Sequence, residues 1–436
     1  MKILDVEKEI GIKTYFTPFE GTGGKLRSRP EDFFVEEISI YPKEGKEGKF
    51  TIAEVESINW ENNHLIRELS NYLHISRKRI NFAGTKDKRA KTKQLMSFYK
   101  VPIEKISSIN LKDVNIKNIY YSNHPVKIGN LIGNKFKIKV RNIDKDLKEE
   151  KIKKIIDFIT KNSGFPNFYG IQRFGMIRPI THIVGKYIVK DDFEKAVMTY
   201  IANPIKAEKK DNYLLREKLE KTRDYKSALK NYPNELNYEK AMLNKLVIDP
   251  HDFIAALKEL PKNLLTMFIY AYQSFLFNEI LSERIKRKIP INKAIYGDII
   301  IPIRRGMFDS NTIFVKDSNI DKVNYQISKG KAVVSGVLFG SDSIFSEGEM
   351  GKIEREVIKK EGIDPRDFII PDIPFISSSG SRHPLLSYVK NLDFKFSLDD
   401  INKDKKLLTL DFELQKGSYA TSLLREFIKS DDIRNY

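Results

Sequence analysis

Apolar and polar residues alternate in several short segments of this chain, and that two-residue period is the signature of half-buried strands. DFFVEEI (32–38), FTIAEVES (50–57) and NKFKIKVRNI (134–143) carry it, the last setting Phe136, Ile138 and Val140 against charged neighbours. NFAG (81–84) reads as a short strand entering a glycine turn. Between them the period lengthens. Residues 61–75 place Leu65, Leu69 and Leu73 on one helical face, with Asn62 or Asn63 as N-cap. Residues 149–162 form a second amphipathic helix, which Gly164 is positioned to end. From about residue 190 the texture turns helical, through DDFEKAVMTYIA, YEKAMLNKLVI and the long stretch 261–288. The Phe, Leu and Tyr stripe at 264–281 reads as inserted-domain core rather than as an RNA stacking platform. Short β-like runs return after 298 in IIIPI and AVVSGVLF, and SSSGSRHP (377–384) reads as a linker or turn cluster. The tail resumes the first texture: LLTLDFELQ (407–415) is a strand, and Gly417-Ser418 opens the helix YATSLLREFIK. A tail that resembles the start more than the middle indicates one domain inserted into another.

Composition narrows the classes. The 436 residues suffice for two or three domains with sizeable cores. The complete absence of cysteine excludes disulfides, thiolate metal sites, cysteine nucleophiles and iron–sulfur clusters. The N-terminus lacks the pattern of a secretory signal, and no apolar run approaches the ~20 residues that span a bilayer. The expectation is a soluble cytoplasmic protein with no membrane partner. A net charge of +18 favours a polyanion such as nucleic acid, although a charged thermophile surface gives the same sum. The position of the charge says more. Residues 76–93, SRKRINFAGTKDKRAKTK, hold eight Lys/Arg and a single acid, Asp87.

Most catalytic signatures are missing. GTGGKL (21–26) lacks the spacing of a phosphate loop, and no GxGxxG opens a helix after a strand. The six histidines stand apart, so no metal site is expected, and no GxSxG elbow is present. What survives is Asp87, just beyond a glycine turn and flanked by Lys86, Lys88 and Arg89. Such cations favour the ionised carboxylate. An acid in a cationic cradle suits an electrostatic or nucleophilic role against a polyanion, with the bases holding phosphates. It equally suits an acid that merely neutralises a basic loop. Physical reasoning leaves these two readings level.

FAGTKDKRAKTKQ (82–94) resembles the signature of the TruD family of tRNA pseudouridine synthases. RPEDFFVEE (29–37), NWE (59–61), GNLIGNKFKIKVRN (129–142), GFPNFYGIQRFG (164–175), AYQSFLFNEIL (271–281) and GSYATSLLREF (417–427) follow in the family's order. The resemblance implies an α+β fold: a pseudouridine-synthase catalytic domain with a mixed, mainly antiparallel sheet, into which a TruD-specific α/β domain is inserted. The expected boundaries are 1–192 and 389–436 for the catalytic domain and 193–388 for the insert. It implies isomerisation of a uridine, similar to uridine 13 of certain tRNAs, with Asp87 as the catalytic carboxylate. The N1–C1′ bond breaks, the base turns, and it rejoins through C5. The target base would be flipped out and stacked on Tyr169, where family members usually carry Phe. Asn167 matches the family's Asn and would orient Asp87 or the base edge. Phe33 is a second pocket aromatic. Arg27 stands where Lys is expected, keeping the charge but not the compact ammonium. Lys86 and Arg89 belong to the cationic cradle, Gln94 would support the Asp87 loop, and Gln172 and Arg173 would contact the pocket or a phosphate. No metal, nucleotide or other cofactor is expected, tRNA is the implied partner, and the chain is expected to act as a monomer. An RNA-binding or RNA-folding protein that keeps the scaffold without turnover is the competing reading.

Overall fold

The computed structural model describes residues 2–304 and 307–436. Two compact units emerge: Phe16–Phe165 with Ser387–Tyr436, and Pro166–Leu386 with Lys2–Tyr15. The first unit is therefore discontinuous in sequence. The change in sequence texture near 190 falls inside the second unit, whose outer limits lie at 166 and 386.

Strands β1–β7 run Phe33–Ser39, Phe50–Ile58, Ile80–Phe82, Lys91–Tyr99, Val114–Ser122, Leu131–Asp144 and Gly164–Pro166. Strands β8–β12 are Ile299–Arg304, Met307–Phe308, Ile313–Phe314, Ala332–Leu338 and Ser381–Pro384, and β13 and β14 are Leu386–Leu398 and Lys405–Gln415. The first unit is built on a sheet of order β5-β2-β4-β1-β6-β14-β13-β7, with β3 added against β4. Only the β1–β4 pair is parallel among the registers described; the others are antiparallel. The fold is thus mixed α/β with mainly antiparallel sheet.

Alternation in sequence becomes two faces in space. Phe33 and Val35, Phe136 and Ile138, and Leu408 through Leu414 at every second position share one core. Onto it pack the helix Glu149–Lys161, through Ile152, Ile155 and Ile159, and the helix Ala420–Ile428, through Leu423, Leu424 and Phe427. A second core under β2 and β4 receives Leu65, Leu69 and Leu73 of the helix Asn62–Tyr72 and its C-cap, with Trp60 at its edge. The opposite sheet face carries an alternating charge row. Reading across strands, Glu56, Lys93, Glu36, Lys135, Glu413 and Lys390 stand in register. Opposite charges at neighbouring positions neutralise one another, so this row is charge-balanced.

Three local expectations change. The N-cap of the helix Asn62–Tyr72 is Glu61, whose carboxylate accepts the Asn63 and His64 N–H groups, because Asn62 is drawn into the core by Gln94. The helix Glu149–Lys161 is followed by Ser163 in the left-handed region (φ 62°), while Gly164 already belongs to β7, where a Cβ would sit 2.1 Å from the Ser387 carbonyl oxygen. SSSGSRHP is not all linker: Ser381–Pro384 is β12, paired to β11.

The second unit carries a smaller sheet of order β10-β8-β11-β12, with β9 on β8, and an array of helices around the long helix Lys262–Lys286. This helix corrects the expectation about apolar length. By length and composition it could cross a membrane, but 67% of its most apolar window is buried inside the protein. It serves as core, as the 264–281 stripe indicated, with Leu265, Phe268, Ile269, Leu276, Phe277 and Ile280 buried.

Candidate functional site

In the first unit the segment 25–32 carries Arg27 and leads into β1. It is held at both ends by Arg141 of β6. The Lys25 N–H donates to the Arg141 carbonyl (2.8 Å), and the Arg141 N–H returns the bond to Lys25 (2.9 Å). The Arg141 guanidinium then grips Asp32 bidentately, Nε and Nη2 each at 2.8 Å, and reaches Asp399 at 2.7 Å. All three side chains are buried. Asp32 also accepts the Arg29 N–H. Pinned in this way, Arg27 adopts the left-handed region (φ 54°), uncommon for a side chain of its size.

That conformation lays the Arg27 guanidinium over the Phe33 ring, 4.1 Å from its centroid, and points Nη2 at Asp87 Oδ2, 3.2 Å away. Burial lowers the Arg27 pKa, Asp87 raises it, and Arg89 lowers it again. Among the described residues, the buried Arg27 Nε has no hydrogen-bond partner. Asp87 itself lies in an exposed loop, its side chain 52% exposed. Phe33 is 1% exposed, so the sequence-derived pocket aromatic is the apolar floor beneath Arg27.

The basic stretch divides in two. Arg79 donates to the carbonyls of Tyr99 and Lys100. Lys86 turns inward to Glu37 (2.5 Å), Lys91 pairs with Glu56, and Lys93 with Glu36 and Glu54. Arg77, Lys78, Lys88 and Arg89 remain exposed. Half of the expected cationic cradle is thus engaged within the sheet, and the cations flanking Asp87 in solvent are Lys88 and Arg89. Gln94 is buried in β4, and its amide donates to Asn62 Oδ1 (3.1 Å), tying the helix Asn62–Tyr72 to the sheet.

The other sequence-derived candidates gather in the second unit, around a residue the sequence did not single out. Asn167 Nδ2 donates to His383 Nε2 (2.8 Å) and to the Pro384 carbonyl (3.2 Å). The Tyr169 ring stacks on the His383 imidazole at 4.8 Å, and Phe277 meets both rings edge-on. Asn278 clamps the Tyr169 backbone, accepting its N–H and donating to its carbonyl, both at 2.9 Å. Burial, with a smaller effect of Arg173, pushes the His383 pKa down to about 4. A neutral imidazole is also what an amide donor at Nε2 requires. Arg173 donates to Ser274 Oγ (3.3 Å), with its guanidinium 5.8 Å from the Tyr169 ring; Gln172 is exposed on the turn Ile171–Arg173. The sequence signal for Asn278 lay in AYQSFLFNEIL, whereas His383 was hidden in a Ser- and Gly-rich run. Among the described residues no three His, Asp or Glu side chains converge as a metal site would require.

The first unit thus sets an exposed carboxylate beside a partly buried guanidinium on a mainly antiparallel mixed sheet, and the second unit orders Asn167, Tyr169 and His383 in a cluster of its own, within an α+β protein. Comparison with known proteins gives the family. The family model of tRNA pseudouridine synthase D (TruD) matches residues 9–427. A Methanococcoides burtonii protein named "Probable tRNA pseudouridine synthase D" is 43% identical over 99% of this chain and 98% of its own length. The Pyrococcus furiosus protein of that name is 35% identical over 97% and 99%. A crystal structure named for tRNA pseudouridine synthase D (TruD) from Methanosarcina mazei superposes with a TM-score of 0.92, at 41% identity and complete coverage of both chains. This chain belongs to the TruD family, as its motifs led us to expect.

Proposed function

We propose that the chain isomerises a uridine of tRNA, position 13 by the family resemblance, to pseudouridine, with Asp87 as the reacting carboxylate. The observation that carries this reading is the Arg27–Asp87 pair: one acid in a basic stretch, left half-exposed but aimed by a guanidinium that is itself locked on Phe33. A carboxylate that only neutralised its loop would not need a partner held in a left-handed backbone.

The reaction conserves atoms: the N1–C1′ bond is lost, C5–C1′ is formed, the proton at C5 leaves and N1 gains one. Being redox-neutral and needing no energy donor, it is proposed to run without metal or nucleotide cofactor. In this reading the uridine is flipped from its stack and held on Tyr169, while Asn167, oriented by His383, reads a base edge or orients the carboxylate. Lys88 and Arg89 take phosphates beside Asp87. Residues 1–192 and 389–436 are proposed as the catalytic domain and residues 193–388 as the family's inserted domain. A cytoplasmic monomer is the proposed working form.

The test is direct. Protein incubated with a tRNA transcript should yield pseudouridine and no free uracil, and Asp87→Asn should lose at least a thousandfold in rate while retaining tRNA affinity. Full pseudouridine formation by that variant would remove the catalytic assignment. Tight binding with neither product from the wild type would favour a non-catalytic RNA-binding protein.

A further inference from the structure

The helix Lys262–Lys286 buries most of its side chains, yet one arc of its N-terminal half faces solvent: Lys262, Asn263, Met267 and Tyr270 are all exposed. At 100° per residue these positions fall within one side of the helix, with Tyr270 near its middle. Tyr270 is 46% exposed, large for an aromatic ring on a core helix. The Arg173 guanidinium lies 6.0 Å from its ring centroid. That guanidinium is fixed in place, since Nε donates to Ser274 Oγ and the same hydroxyl donates to the Tyr270 carbonyl (2.7 Å). Arg173 also faces Tyr169 at 5.8 Å, so one cation bridges the exposed ring and the buried one. About two turns toward the helix N-terminus the arrangement repeats: the Lys262 ammonium sits 5.2 Å from the ring of Phe375, which is 44% exposed.

We propose that Tyr270, with Arg173 beside it, is a second base-stacking platform that takes an unpaired nucleotide of the RNA substrate near the target uridine, and that Phe375 with Lys262 extends it to a further base. The inference rests on the RNA-uridine reading above. An exposed aromatic offers a π-face to any base, and an adjacent guanidinium or ammonium serves the phosphate between bases, the combination by which proteins hold single-stranded nucleic acid. An apolar protein partner would leave both cations unmatched. The bridge through Arg173 makes the platform continuous with Tyr169, so that a base on Tyr270 and a base on Tyr169 would share one cation.

The test uses the full chain with Tyr270→Ala, Tyr270→Phe and Phe375→Ala, each checked for wild-type circular dichroism. Binding is read by fluorescence anisotropy on a tRNA transcript, a 12-nucleotide single-stranded oligouridylate and an RNA duplex of equal length. Tyr270→Ala should weaken tRNA and oligouridylate about tenfold, as loss of one stacked base does, and Tyr270→Phe should stay within twofold of wild type. Duplex affinity should not change, and KM for tRNA should rise by more than kcat falls. On the wild-type protein, 4-thiouridine placed beside the target uridine should crosslink to Tyr270. Unchanged oligouridylate affinity in Tyr270→Ala, equal weakening in Tyr270→Phe, equal weakening toward polyglutamate, or a crosslink confined to other residues would each overturn the platform. Failure of the underlying reading shows separately, as a wild-type protein that makes no pseudouridine in the transcript.

Discussion

Replacing Arg141 by Met should destabilise the first unit by about 3–5 kcal/mol, a large share of a domain's usual 5–15 kcal/mol. The figure follows from what is left behind. Of the three carboxylates Arg141 touches, Asp400 is 57% exposed and solvent can take over its partner's role. Asp399 is buried but keeps the Asn142 and Ile401 N–H groups and the Asn402 amide. Asp32 is 1% exposed and, among the described residues, keeps only the Arg29 N–H, so it becomes the uncompensated buried charge. Changing Asp32 to Asn in the Arg141→Met background should therefore restore stability, with a coupling of about 1–3 kcal/mol. The assay is urea unfolding at pH 7 followed by the fluorescence of Trp60, the sole tryptophan, which lies in the first unit. Acid adds a second check. Burial alone would raise the Asp399 pKa, but hydrogen bonds from Asn402, the Asn142 and Ile401 N–H groups and Arg141 hold it below the carboxylate range. A depressed carboxylate stabilises above its unfolded pKa near 4 and loses that contribution as pH falls further. Wild type should thus lose stability below about pH 4 more steeply than Arg141→Met. A loss under about 1 kcal/mol at pH 7, or a double variant no more stable than the single one, would refute the account of Arg141 as the clamp on the Arg27 segment.

Two further predictions concern the second unit. His383 and His182 are both held down to about 4 by burial, so the unfolded state takes up protons first as pH falls from about 6.5 toward 4. Stability should decline across that window by up to about 1.4 kcal/mol per pH unit per histidine, and His383→Gln should flatten the slope measured by circular dichroism; identical slopes would contradict it. Gly185→Ala, in the helix Thr181–Val189, would place a methyl 2.0 Å from the Phe268 carbonyl oxygen. An open helical site would gain about 1 kcal/mol from that change, whereas here we expect a loss of about 3 kcal/mol in the helical transition and no shift in the Trp60 transition.

Strands β1, β6 and β14 were legible because alternation is a local signal and the structure honours it with one buried face, whereas β2 is buried on both sides, Ala53 and Val55 in one core and Ile52 in another. β12 was not. Its Ser-, Gly- and Pro-rich surroundings read as a turn, yet pairing with β11 needs only backbone, and Arg382 anchors it by reaching the distant Glu354 at 2.9 Å. Glu61 displaced Asn62 as N-cap for a similar reason, since nothing nearby announces that Gln94, 32 residues on, takes the Asn62 side chain. In the site, Asp87 stood out as the lone acid among bases. The inward turn of Lys86 depended on Glu37, 49 residues earlier, and charge alone gives no sign of which cations a sheet will absorb. His383 escaped notice because an isolated histidine carries no spacing to read, and its meaning comes from Asn167 and Tyr169, more than 200 residues before it.

The discontinuity of the first unit bears on how the chain is made. β14 lies inside the sheet, between β6 and β13, and its registry with β6 runs from Lys405 to Gln415. Residues 166–386 must be synthesised before it exists. At ~5–20 residues per second, that interval lasts roughly 10–45 seconds. Throughout it β6, fourteen residues long, presents an open edge with Phe136, Ile138 and Val140 unfinished beneath it. An open edge of that length is a template for pairing with another chain. The lysines at 135, 137 and 139, which in the finished sheet look like ordinary surface charge, would then serve their main purpose before folding ends, keeping nascent chains apart until the last fifty residues arrive.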